Sequence, residues 1–146
     1  MEMKLEKIIS AYAILKPSKM TKLEIKGKSK ILKIMRVMRP TCDEWNSFVQ
    51  TVDENIKKDN HDEIIEKVKK WQLEGENTTL SENERIEINK YLIEYQRDKE
   101  ICINDELKKE ISLEYEKLNE SEFEQLVDSN DWKVEEILLL EEVIKE

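Results

Sequence analysis

The side chains able to do chemistry are few. The chain holds one histidine, His61, and two cysteines, Cys42 and Cys102. A thiol or hydroxyl nucleophile needs a nearby imidazole and an acid to orient it. His61 stands among Asp59, Asp62 and Glu63 in a polar turn, a setting that predicts a surface residue. Neither cysteine has a catalytic signature around it, and both are expected to be small buried hydrophobes carrying unpaired thiols. Zinc needs three or four Cys/His ligands at close spacing, which this set does not supply. Two glycines, Gly27 and Gly75, cannot build a phosphate-cradling loop. Asp128-Ser129-Asn130-Asp131 has the start of a calcium loop, but lacks its central glycine and places Leu139 where the closing glutamate belongs. The expectation is a protein that binds and does not catalyse, with no cofactor, no metal and no small-molecule substrate.

The charge pattern is more informative. Residues 1–39 contain eleven Lys/Arg against three Glu, while the remaining residues contain fourteen against 31 acidic ones, giving −9 overall. Lys22, Lys26, Lys30 and Lys33, with Arg36 and Arg39, recur every three or four residues. Clustered cations of this kind grip a nucleic-acid backbone by releasing counterions, or dock on an acidic protein. They also serve simply as the solvated back of an amphipathic helix. The segment has no aromatic residues for base stacking, and the negative sum opposes DNA approach. At the other end, residues 100–146 hold sixteen Asp/Glu against five Lys/Arg. There Trp132, Ile137 and Leu138, flanked by Glu135, Glu136, Glu141 and Glu142, could fill a partner groove, mimic nucleic acid, or complete the chain's own core.

These groups must be positioned by helices. With 146 residues, 40% charged and 38% apolar, and rich in Lys, Glu, Leu and Ile, the chain has the composition of long half-solvated helices. The apolar spacing predicts a first helix over about 3–15, ended by Pro17. A second runs from about Thr21 to Arg39 with Met20, Leu23, Gly27, Ile31, Ile34, Met35 and Met38 as its stripe. The segment Lys22–Lys26 also fits a short extended stretch. Pro40 should break the pattern, and Thr41-Cys42-Asp43-Glu44 reads as a capping box opening a helix over 41–58. Further helices are expected over 62–73, with Gly75 as C-cap, and over 82–110. Ile111, Leu113 and Tyr115 alternate with polar residues, which predicts a short strand. Helices from Ser121 and from Trp132 follow. The resulting fold class is mainly α: an antiparallel helical hairpin or bundle over 1–110, and a small C-terminal subdomain over 111–146 containing one short strand. No segment is apolar enough for a signal peptide or a membrane span, so the expected location is cytoplasmic.

This layout resembles small uncharacterised helical proteins of tailed bacteriophages and prophages of low-GC bacteria. The resemblance rests on Lys22-Leu23-Glu24-Ile25-Lys26-Gly27-Lys28, on Ile88-Asn89-Lys90-Tyr91, on the stretch from Glu110 to Leu118, and on the acidic tail from Val134 to Glu141. It implies a helical, coiled-coil-like fold in a phage context. The function expected is protein–protein interaction, as an assembly factor or chaperone, with another protein or a second copy as partner. An acidic inhibitor of a nucleic-acid-handling host or defence enzyme is the alternative, and a nucleic-acid binder through residues 19–39 is the third.

Overall fold

The computed structural model describes all 146 residues. The chain is 73% helical, with six helices and one two-stranded antiparallel sheet. In chain order these are β1 (Glu2–Lys4), α1 (Leu5–Leu15), α2 (Ile25–Ile56), α3 (His61–Glu74), α4 (Glu82–Leu107), β2 (Glu110–Ser112), α5 (Glu120–Asp128) and α6 (Val134–Ile144). No helix is long and apolar enough to cross a membrane.

The residues group into two compact units, one made of both chain ends (Met1–Ser47 and Glu106–Glu146), the other of Phe48–Asp105. The boundary expected after residue 110 therefore falls elsewhere, because the C-terminal elements share a core with the N-terminal ones.

In the first unit the core stripe of α2 is Gly27, Ile31, Ile34, Met38 and Cys42, at spacings of four, three, four and four. Ile31, Ile34 and Met38 are fully buried, each contributing about 1.5–3 kcal/mol through removal from water. They meet Ile8, Ala11 and Leu15 of α1, Phe123 and Leu126 of α5, and Leu140, Val143 and Ile144 of α6. Gly27 allows close packing on this stripe, since a Cβ there would stand 2.9 Å from Leu23 Cδ2. Lys22 lies in a turn and the helix begins at Ile25, so Lys22–Lys26 is neither wholly helix nor strand.

Pro40 does not break α2, and the expected capping box at Thr41 does not form. Pro40 lies on the exposed side of the helix, where the carbonyl left without an N–H partner can turn to water. Cys42 continues the buried stripe beyond it, so burial on one face outweighs the lost hydrogen bond on the other.

Residues 2–4 form β1, where residues 3 and 4 were expected to open a helix, and pair with β2 in the register Glu2–Ser112, Met3–Ile111, Lys4–Glu110. Leu113 N–H donates to Met1 O at 2.9 Å and Leu5 N–H to Lys109 O at 2.8 Å, closing both ends. The strand expected near residue 111 thus finds its partner at the N-terminus. Farther on, Leu118 N–H donates to Ile144 O at 2.8 Å and Glu146 N–H to Leu118 O at 2.9 Å, which fixes the end of α6. Helix α5 starts one residue before Ser121: Asn119 caps it, exchanging hydrogen bonds with Glu122 in a capping box.

In the second unit α3 and α4 run antiparallel: His61 meets Tyr91, while Lys67, Trp71 and Glu84 line one cleft farther along. Gly75, with φ of 57°, ends α3 as its left-handed conformation suits. Helix α4 carries apolar residues on two faces. Ile88 and Tyr91 are buried, whereas Ile86, Ile93 and Ile101 are exposed.

Replacing Pro40 by Ala should restore the hydrogen bond to Arg36 O and stabilise the chain by about 1–2 kcal/mol, the helix gain being partly offset by a looser unfolded state. Chemical denaturation of the two proteins checks this; an unchanged or lower midpoint for Pro40→Ala would show that the proline is accommodated without cost.

Candidate functional site

The residues singled out for chemistry lie apart. Cys42 is buried and Cys102 exposed, both with unpaired thiols; the expectation that both are buried fails for Cys102. Burial, and secondarily the Asp43 charge, push the Cys42 thiol up, so it stays protonated and a poor nucleophile. His61 is not a surface residue. It is 8% exposed, its Nδ1 stands 2.6 Å from Tyr91 Oη, and its ring packs against Tyr91 and Tyr95 with centroids 5.8 and 4.9 Å away. Tyr91 Oη also accepts the Lys58 N–H at 3.2 Å, so its own proton is available to His61. The aromatic partners of His61 sit 30 and 34 positions later, out of reach of a local reading.

Beside this cluster, Asp53 accepts a hydrogen bond from Tyr95 and ion-pairs with Lys57 at 2.9 Å and Lys99 at 3.1 Å. The Tyr95 hydrogen bond, then Lys57 and Lys99, hold the Asp53 carboxyl far below the usual carboxylate range. Burial, then the bond and charge of Asp53, push Tyr95 up to about 12. Tyr95 therefore favours its neutral form, so the stability it contributes is complete below the ordinary tyrosine value of about 10 and is lost as pH rises through about 12. Every member of this network has an internal partner, which is the signature of a structural clamp. No group of three or more His, Cys, Asp or Glu side chains is placed to hold a metal ion. Asn130, within the segment weighed as a calcium loop, binds backbone instead: it accepts Lys19 N–H and donates to Lys19 O and Leu126 O.

The charged surfaces of the first unit are different. Lys30 is drawn inward, its Nζ 2.7 Å from Glu122 Oε1 and 3.5 Å from Glu116. Burial works to raise the Glu122 carboxyl, but Lys30, the Asn119 amide and the Lys26 charge outweigh it and hold the carboxyl below its ordinary value. Arg39 pairs loosely with Asp43 at 3.9 Å. Lys22, Lys26, Lys33 and Arg36 are exposed and have no carboxylate within 4 Å among the ion pairs of the chain. On the same outer face stand Ile25, 80% exposed, and Leu32, 56% exposed, seven residues apart and therefore two turns along one side of α2. The result is an exposed ridge, apolar at its crest, with Arg36, Lys33 and Lys26 along one side of it and Lys22 in the turn at its start.

Two concave features accompany it. Between α1 and α2 lies a groove of about 580 Å³ floored by Tyr12, Met35 and Cys42 beside Trp45, with Lys16 and Arg39 at its edge. Between α5 and α6 lies a second, of about 420 Å³, floored by Phe123, Val127 and Ile137. Glu120, Glu124, Asp128 and Glu141 rim it, with Lys145 the one cation, 3.8 Å from Glu141.

The C-terminal residues divide by burial. Trp132 and Ile137 pack against the chain's own core; Leu138 is 59% and Val134 68% exposed. Glu142 ion-pairs with Lys7, Glu136 accepts the Lys133 N–H, and Glu135 is exposed. The sequence signal that singles out the outward members is that Ile25, Leu32, Val134 and Leu138 lie off the core stripes.

Glu122→Gln should cost about 1 kcal/mol at neutral pH, the net size of an ordinary hydrogen bond, since the amide still accepts from Lys30. Because the folded carboxyl is held low, its contribution is complete above the unfolded value of about 4.3 and fades as pH falls through the folded one. Thermal melts of both proteins should therefore converge in acid. A difference that persists at low pH would assign the loss to packing. Separately, ultraviolet titration should find two tyrosines ionising near 12, Tyr95 and the buried Tyr115, and only one of them in Tyr95→Phe; an unchanged amplitude near 12 in that variant would break the link to Asp53.

No protein-family model, no curated protein and no solved structure matches this chain.

Proposed function

We propose that this chain is a non-enzymatic protein-binding module that uses the outer face of α2 to hold an acidic amphipathic segment. The observation that carries the reading is the pairing of exposed Ile25 and Leu32 with Lys26, Lys33 and Arg36 on the outer side of α2, and with Lys22 in the turn that leads into it. Covering apolar side chains that stand in water is favourable, and cations outside the chain's own ion pairs attract and orient a carboxylate-bearing partner. A role as an assembly factor or chaperone of phage-like origin accords with such a surface, which selects a partner by pattern and not by reaction. Nucleic acid is the less favoured ligand, since Ile25 and Leu32 would lie uncovered against a phosphate backbone and the chain's sum of −9 repels it.

A second reading has its own observation. Val134 and Leu138 are exposed on α6, four residues apart and flanked by Glu135, Glu141 and Glu142. A face of that kind suits an inhibitor that occupies a basic site on a nucleic-acid-handling enzyme.

Fluorescence anisotropy with a labelled acidic amphipathic helical peptide and with a labelled DNA duplex separates these readings. The peptide should bind in a salt-sensitive manner, and Ile25→Ser with Leu32→Ser should weaken binding at least about tenfold through the lost apolar contact. Absence of peptide binding, or DNA binding that exceeds it, overturns the proposal. Reversal of Glu135, Glu141 and Glu142 should leave peptide affinity intact while abolishing any binding to a basic protein.

A further inference from the structure

The acidic groove between α5 and α6 complements the ridge of α2 in shape, in apolar character and in the sign of most of its charges. The ridge is convex and apolar at Ile25 and Leu32; the groove is concave and apolar at Phe123, Val127 and Ile137. Four cations lie beside the first: Lys22, Lys26, Lys33 and Arg36. Four carboxylates rim the second, Glu120, Glu124, Asp128 and Glu141, the last of them paired with Lys145, whose ammonium stands 6.0 Å from the centre of the Phe123 ring. Two helical turns separate Ile25 from Leu32, about 10 Å, and the nine residues of α5 extend about 13 Å, so the groove is long enough to take both side chains.

The two surfaces cannot meet within one chain. Residues 19–30 are fastened to one face of α5 and to the turn beyond it: Lys30 Nζ to Glu122, Glu24 N–H to Gln125 Oε1, Lys22 N–H to Ser129 Oγ and Lys19 N–H to Asn130 Oδ1. Glu122, Gln125 and Ser129 are spaced by three and four and share that face. Glu120, Glu124 and Val127, likewise spaced by four and three, share the other, where the groove lies. Helix α5 thus stands between the α2 ridge and the groove, and both belong to the same compact unit.

We propose that the α2 ridge of one copy seats in the α5–α6 groove of a second, so that the chain assembles head to tail. Because the two surfaces are different patches of one molecule, each added copy leaves a ridge and a groove open, and growth continues to a closed ring or an open filament. This rests on the reading of the ridge as a protein-binding face and names its occupant.

Sedimentation velocity on the full chain tests it, using a ridge variant (Ile25→Ser with Leu32→Ser) and a groove variant (Glu120→Lys with Glu124→Lys), both checked for native circular dichroism. The wild-type chain should form species beyond the monomer that grow with concentration and shrink at high ionic strength. Each variant alone should lose all but a dead-end monomer. An equimolar mixture should sediment as a dimer and no further, since only one intact ridge and one intact groove remain to pair. A wild-type chain that is monomeric at low salt and high concentration overturns the inference, as does association that survives in either variant. A mixture that stays monomeric also overturns it. If the wild type is monomeric yet the acidic peptide binds the ridge, self-association falls and the binding-module reading stands; if neither binds, both fall.

Discussion

Burial of a single stripe along α2 is the constraint on which the first unit depends. Ile31, Ile34 and Met38 are wholly removed from water, and α1, α5 and α6 all deliver side chains to them. Rotating α2 by even one residue, about 100°, would bring Leu32 into the core and expose its neighbours. The stripe therefore fixes the helix rotation, and with it the direction of every cation on the opposite side. The same constraint carries the helix through Pro40 and draws Cys42 inward.

Polar contacts then refine what burial sets up. Glu122 is at once the reciprocal partner of the Asn119 cap and the acceptor for Lys30, so one carboxylate starts α5 and ties it to α2. A buried carboxylate is tolerated only with such partners. In the second unit Asp53 and His61 play comparable parts, each held by a tyrosine of α4. These groups look like chemistry in isolation, yet each is consumed by an internal bond. What is left over is the outer face of α2, and the rims of the grooves.

Much of this was legible in the residues themselves. The spacing of Ile31, Ile34 and Met38 marks the inner face of α2 without reference to any other element, and Gly75 marks the end of α3. The division of charge between the first 39 residues and the rest is likewise present in the sequence. Asn119 and Ser121, two positions apart, are both competent caps for α5, and only the observed exchange with Glu122 separates them.

The sequence by itself determined the mainly helical class, the core stripe of α2 and the opposite signs of the two ends, since each follows from residue type and short-range periodicity. Tertiary structure alone decided which lysine is spent internally. Lys30 and Lys33 are alike in sequence, but Lys30 meets Glu122, 92 positions away, and Lys33 faces water. It also decided that residues 2–4 pair with 110–112 and that His61 is enclosed by Tyr91 and Tyr95. Strand pairing and enclosure depend on partners distant in the chain, and no local pattern encodes where those partners will stand.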